Sequence, residues 1–423
     1  MVLGGDTDRP RQEPPGECMR RRDFLAGVVG LSAQRTLAGP TVPDHRRLHV
    51  GVVGAGIVGA SIAVHLAEKG ARVTLFERAS PASGATQNSF GFLNIFDLDH
   101  HYQSVRQKSV LAYRRLDTPL QLGITWGGYI NWTGNEAEAG TVRDYAAMLD
   151  GTPDAVRRLD AEEFRRISPA VEPGIIAAAF YSPLAGHVDP VWVTYRLLDR
   201  ARMVGAELRY PCSVVEFKTA NGRLRAVATS EGLVPLDRVV IAAGVDTPQL
   251  LSLLGFNLRL RHAPGILAHS VPIPELTKII YDGPGGMEFK QMASGRIVGT
   301  DSLEAPNIPV HEEIRRRAAD FPDAALRAAH GTRILQKIAS VMPGARAAVL
   351  DRLTLGFRPM PTDGFPVLGP VPGVADVYIA VTHSGISLAP IIGQYVSQEV
   401  LTGGRAEDLS PYRPERFATG SAG

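Results

Sequence analysis

Two periodicities alternate along this chain and predict its elements. Leu48 to Val53 is an apolar, β-branched run of strand length. Ala60 to Lys69 then carries apolar residues at helical spacing, at Ile62, Ala63, Leu66 and Ala67, and Gly70 stands where a helix ends. Arg72 to Phe76 is a second apolar strand, closed by Glu77. Helical spacing returns from about Gln103 to Leu116, and GITWGGYINWTGN (123–135) predicts two strands around a Gly turn. Asp160 followed by Glu163 has the form of a capping box. A long helix is expected over 187–208, then strands at Ser213–Lys218 and Leu224–Thr229. DRVVIAAGVDTPQLL (237–251) is a buried strand running into a helix. Strands resume at Ile279, MEFKQMASGRIVGT (287–300) predicts a hairpin, and 310–338 a helix. From Gly356 the pattern is turn, strand, Gly-rich turn, helix.

Strand-rich segments thus interrupt an α/β pattern twice. The expected fold is α/β: a discontinuous Rossmann-like dinucleotide domain (47–107, 185–262 and 355–417). Inserted in it is a second domain of antiparallel sheet plus helices (108–184 and 263–354). A length of 423 residues agrees with two domains.

The link between the first strand and helix is Gly54-Ala55-Gly56-Ile57-Val58-Gly59. Gly54 permits the tight turn, Gly56 lets a pyrophosphate approach the backbone, and Gly59 lets helix and strand pack closely. The helix N-terminus offers N–H groups and a positive dipole end to phosphates. Glu77 can accept hydrogen bonds from ribose hydroxyls, which argues against a 2′-phosphorylated ligand but does not separate NAD from FAD. After Glu77 comes RASPASGATQNSFGFLNI (78–95), a loop of small residues suited to backbone passing close to a flat ligand.

The net charge of +2 gives no basic stripe for nucleic acid, and no apolar run reaches the ~18 residues of a membrane span. Cys18 and Cys212 make neither a disulfide framework nor a metal site, and His100-His101 is expected to open a helix rather than hold a metal. Residues 1–46 are polar and rich in Gly and Pro, with Arg21-Arg22-Asp23-Phe24-Leu25 resembling a twin-arginine export signal. Periplasmic export of a folded, cofactor-loaded protein is the expectation, with a cytoplasmic location as the alternative. The apolar stretch after the arginines is short, and Met19 stands where such a signal would begin.

Four elements in order resemble the flavin-dependent amine and amino-acid oxidoreductases of the D-amino-acid oxidase superfamily. They are the Gly54–Glu77 unit, the loop Ser83-Gly84-Ala85-Thr86 with Asn88-Ser89-Phe90-Gly91, VVIAAGVDT (239–247), and GFRPMPTDGFPVLG (356–369) with THSGISLAP (382–390). The resemblance implies noncovalent FAD, since no Cys stands near Arg358 where sarcosine oxidases attach their flavin. It implies that Gly54 to Gly59 hold the pyrophosphate, Glu77 the ribose, and Arg78 and Val214 the adenine end. Ala243 and Gly244 would lie near the phosphates, and Ala85, Thr86, Asn88, Ser89 and Gly91 along the isoalloxazine. Gly385, Ile386, Ser387 and Leu388 would sit under the pyrimidine side, at a helix N-terminus, with His383 as a cofactor contact. Arg358, in Gly356-Phe357-Arg358-Pro359, would pair with a substrate carboxylate, its planar fork matching bidentately.

Where some relatives carry a carboxylate-binding Tyr, this chain has Met287-Glu288-Phe289. Glu288 would bind a substrate amine or hydroxyl, and Tyr281 is the candidate replacement. The implied reaction is oxidation of a small amine or amino acid by hydride transfer from Cα to flavin N5, giving an imine that hydrolyses. Oxygen and a quinone or dye stand as alternative electron acceptors, and a homo-oligomer is compatible with the sequence. Two other readings stay open: a NAD-dependent dehydrogenase, and a flavin-binding protein without turnover.

Overall fold

The computed structural model describes residues 47–152, 155–301 and 324–417. The twin-arginine-like segment, Cys18 and residues 310–323 of the expected helix lie outside the described residues. A six-stranded sheet grows from the first periodic segment. Its order is Val367–Pro370, Val377–Val381, Arg238–Ile241, His49–Val53, Arg72–Phe76, Glu207–Arg209. The last five run parallel, and Val367–Pro370 is antiparallel to its neighbour. His49–Val53 sits between the strand that follows it through a helix and one from much later in the chain. That is the topological switch point where open α/β sheets bind ligands. Val50 and Val52 on one face and Gly51 and Val53 on the other are all buried, as a strand covered on both faces requires.

Helix Ile57–Glu68 packs against Pro190–Met203 and the C-terminal helix Gly385–Thr402. Pro190–Met203 is shorter than its apolar pattern suggests because both ends are punctuated. Asp189 Oδ1 accepts from the amides of Val191 and Trp192, Pro190 fits the first helical turn, and Gly205 turns at φ +98° into Glu207–Arg209. The capping box at Asp160 and Glu163 forms, and His100 opens helix His100–Leu120 with Asp99 as its cap.

The second sheet has eight strands, ordered Leu350–Pro361, Leu260–Pro272, Arg296–Thr300, Met287–Gln291, Ile280–Gly283, Tyr129–Thr133, Ala178–Ser182, Arg157–Arg158. It is antiparallel except where Ile280–Gly283 runs parallel to Tyr129–Thr133. Helix Ala324–Val341 packs on it through Ile334, Leu335 and Ile338, over a core that includes Trp132, Phe164 and Phe289. Two sequence expectations change. Of the two strands expected over 123–135, only Tyr129–Thr133 forms. The carboxylate of Asp117 takes the Ile124 amide and the Trp126 indole N–H, leaving one isolated bridge, Thr125 to His187. The GFRP segment, expected as a turn, lies inside the strand Leu350–Pro361, paired residue by residue with Leu260–Pro272. Among the described residues no helix is long and apolar enough to cross a membrane.

Candidate active site

A cavity of about 1310 Å³ lies between the C-terminal ends of the parallel strands and the eight-stranded sheet. It exceeds the ~300–1,000 Å³ of ordinary small-ligand clefts. At one end is the glycine turn. Gly54 has φ +105° and donates to Phe76 O at 2.8 Å. A Cβ on Gly59 would lie 2.0 Å from Gly54 O, so helix and turn touch backbone to backbone. Gly56 faces the cavity, and the only atom near its missing Cβ is Thr86 Oγ1 at 3.3 Å. It begins the helix without a side-chain cap, so the first turn opens toward the cavity. Ile57 and Val58 also line it, and Ile57 N–H donates to Thr86 Oγ1.

Glu77 lines the next stretch. Its two oxygens accept the Ala55 and Ala79 amides, each at 2.9 Å, and each keeps a lone pair for a hydroxyl. Arg78 pairs with Asp246 at 2.9 Å at the mouth, beside Val214, Ala243 and Gly244. Ala85, Thr86, Asn88 and Ser89 carry the wall onward. Ala55, Gly59, Gly91, Ser387 and Leu388 are not lining residues; they hold those that are. Gly91 turns at φ +78° against Val188 O, and Ser387 Oγ donates to Phe92 O and accepts from Asn94 N, both at 3.0 Å.

Gly385 and Ile386, at the start of the C-terminal helix, line the cavity. Ile386 is fixed from behind by the Tyr113 hydroxyl donating to its carbonyl at 2.7 Å. His383 meets Ser384 Oγ at 3.0 Å, and the same oxygen accepts from the Arg106 guanidinium. Burial, then the cations Arg106, Arg358 and Arg261, push the His383 pKa down to about 3. It is therefore a neutral imidazole at physiological pH.

Arg358 also lines the cavity. It stands opposite Ala263 within a long strand, a rigid mounting. Asp363 pairs with Arg416 at 2.7 Å. Glu288 and Asp282 face each other across adjacent strands and both line the cavity. Asp282 accepts from the Tyr129 hydroxyl at 3.0 Å and from Asn131 Nδ2 at 3.4 Å. Burial raises Asp282 to about 6, against the Tyr129 hydrogen bond. Burial, with Asp282 adding, raises Glu288 to about 8, against Lys290 and Arg358.

Lys290 is fully buried, donates to Val188 O at 3.2 Å, and lies 5.1 Å from the Phe90 ring centroid. Burial lowers it to about 7. Tyr281 is not at the site. It is wholly buried, stacked on Phe289 at 4.7 Å, with its hydroxyl on Ser168 and Thr277. The strand's period of two explains this. Tyr281 opposes Phe289 on the core face, while Asp282 opposes Glu288 on the cavity face. That same period was the available signal for Asp282 and Lys290, which the sequence reading missed along with Tyr129 and Asn131.

These shifts have a measurable consequence. A raised carboxyl pKa means the folded chain holds a proton that the unfolded chain has lost, from the ordinary 4.5 up to about 8 for Glu288. Its contribution to stability is present below that window and is lost as pH rises through it. Glu288→Gln removes the titration and also the charge that holds the Lys290 pKa up, and both changes favour the variant as pH rises. The melting temperature of the variant minus that of the wild type is therefore expected to climb from about pH 5 to about pH 8. A flat difference would contradict the buried, shared placement of the pair.

With the geometry in place, the family follows. A family model described as DAO, FAD dependent oxidoreductase, matches residues 49–399. The chain belongs to the DAO family of FAD-dependent oxidoreductases. Among the relatives of this DAO enzyme, glycine oxidase of Bacillus licheniformis is 27% identical over 384 residues, covering 86% of this chain and 96% of the relative. Mitochondrial dimethylglycine dehydrogenase of Rattus norvegicus is 25% identical over 393 residues, covering 89% of this chain but 46% of the relative. The chain thus spans about half the length of the dimethylglycine dehydrogenases it matches. The solved glycine oxidase of Geobacillus kaustophilus superposes with a TM-score of 0.76 at 23% identity, covering 87% of this chain and 98% of that one.

The cofactor of the DAO enzyme is FAD, which decides between the two dinucleotides left open by Glu77. The residues present fit it. An uncapped helix start at Gly56, a carboxylate at the tip of the second strand, and a cavity of about 1310 Å³ that also meets the helix N-terminus at Gly385 are the parts such a ligand needs.

Proposed function

We infer that this enzyme oxidises a small carboxylated amine or amino acid at the carbon bearing nitrogen, using noncovalently held FAD. One observation carries the reading: Arg358 and the glycine turn line the same cavity. FAD, when bound, supplies a two-electron acceptor for the C–H bond. The chain supplies the rest. Gly56 and the first helical turn would hold the diphosphate, and Glu77 the ribose. Arg358 would fix the substrate carboxylate through two charge-assisted hydrogen bonds, and so set the position of the reacting carbon, where small misplacements cost rate. Gly385 and Ile386 present a helix N-terminus that favours negative charge developing beside it. His383, neutral and tied to Ser384, acts as a wall contact, not a proton acceptor. The imine product leaves the site and hydrolyses to the oxo acid.

The test is spectroscopic. Purified protein is expected to be yellow, with a flavin band near ~450 nm. Under anaerobic conditions, at least one of glycine, sarcosine, hydroxyproline or the D- and L-amino acids is expected to bleach it. Reoxidation by air or by a dye then reports the acceptor. A colourless protein that never takes up added FAD would refute the cofactor reading, and a yellow protein that no amine bleaches would refute turnover.

A further inference from the structure

We propose that Asp282 and Glu288 form a subsite for a second, non-reacting cationic group of the substrate, so that the preferred substrate is a basic amino acid. Its carboxylate would lie at Arg358 and its distal ammonium or guanidinium at the acidic pair. The inference rests on the carboxylate-binding reading of Arg358.

Three observations support it. The first is how the two acids are held. They are opposite one another on neighbouring strands and both open on the cavity. Asp282 is anchored by Tyr129 and Asn131, whereas among the described residues the Glu288 carboxylate makes no hydrogen bond or ion pair. Glu288 is half-buried and lines the cavity. Its carboxyl group is thus placed to pair with a ligand there.

The second is the charge around Glu288: Lys290 and Arg358 favour its ionised form, Asp282 opposes it, and Lys290 is shared with Asp189. Once a substrate carboxylate occupies Arg358 that support weakens, and a cationic group beside Glu288 would restore it. The third is the apolar part of the same lining. Tyr129, Phe92 and Phe96 stand together, with ring centroids 5.1 Å and 4.9 Å from Tyr129, an apolar wall suited to a methylene stem.

The nitrogen at the pair is not the one oxidised. An anion within ~4–6 Å of an amine favours its charged form by ~1–3 pKa units. The amine must be uncharged to lose hydride, so two carboxylates beside it would cut the reactive fraction by roughly ten- to a thousandfold.

The test uses the holoenzyme and two acids without an amine beside the carboxylate, pentanoate and 5-aminopentanoate, titrated against the flavin absorption spectrum. The ammonium compound is expected to bind at least about tenfold tighter, a difference of about 1.4 kcal/mol. Glu288→Gln and Asp282→Asn are each expected to bring that ratio below about threefold, about 0.7 kcal/mol. In anaerobic bleaching, lysine, ornithine or arginine should exceed norleucine by at least about tenfold in rate over Kd. Equal affinities for the two acids overturn the cation subsite alone. A Glu288→Gln enzyme slowed equally toward lysine and norleucine, with the ratio intact, also overturns it and marks Glu288 as the acceptor of the substrate's own proton. If neither acid binds, the carboxylate reading of Arg358 fails as well.

Discussion

Gly59→Ala is expected to yield a colourless, destabilised protein. A Cβ at this position would sit 2.0 Å from Gly54 O and 3.1 Å from its carbonyl carbon. Neither partner can retreat. Gly54 is itself at φ +105°, and its own missing Cβ would be 2.5 Å from Ala242 O. The clash therefore has to be relieved by moving helix Ile57–Glu68 away from the sheet, although Ile62, Ala63 and Leu66 of that helix are fully buried. Overpacking against yielding side chains costs ~1–3 kcal/mol, and against backbone the upper end is expected. The helix start that meets the diphosphate moves too. At a FAD concentration about 100 times Kd, lost binding forfeits about 2.7 kcal/mol more of apparent stability. Gly140→Ala is the control. It lies in helix Glu136–Ala147 with nothing within 4 Å of the added atom, and alanine there is expected to be neutral or slightly stabilising. FAD titration and melting curves on both variants decide. A Gly59→Ala protein that binds FAD like the wild type would mean that the turn does not hold the diphosphate.

Arg358→Ala is expected to lower kcat/KM toward a carboxylated amine by at least about tenfold, or about 1.4 kcal/mol. The figure is a floor, because hydrogen bonds to charged groups contribute ~1.5–3 kcal/mol each and a fork makes two. Arg358→Lys should recover only part of the loss, since an ammonium keeps the charge but not the planar pair of donors. FAD content and melting temperature serve as controls that separate loss of substrate binding from loss of cofactor or fold. Kinetics unchanged on a substrate that bleaches the wild type would remove Arg358 from substrate binding.

The dinucleotide end was legible because its signal is local. Strand, glycine turn, helix, strand and acid lie within Leu48 to Glu77, and each has a sequence signature of its own. The longest strands were not. Leu260–Pro272 carries Pro264 and Gly265 within it, and Leu350–Pro361 carries Gly356 and Pro359. Such residues read as turn formers, yet pairing with each other along their length overrides local preference. Arg358 was legible only through family resemblance, since nothing in its neighbours marks a strand. At the acidic pair, Glu288 was found through the resemblance, at the hairpin position where some relatives carry a Tyr. Tyr281 was misplaced because the face it would take depends on register, which a single sequence does not fix.

The crossing of the 79–91 loop with the strand Leu350–Pro361 has a consequence for biogenesis. A Cβ on Gly356 would fall 2.6 Å from that of Asn88, so two backbones made far apart in synthesis lie against one another at the cavity wall. The parallel sheet likewise waits for Val377–Val381 to flank Arg238–Ile241. The nascent polypeptide emerging from the ribosome carries its glycine turn early but has no closed receptacle for the nucleotide until Val377–Val381 has emerged. Nucleotide binding thus waits for that strand, with the early segments exposed to chaperones in the interval.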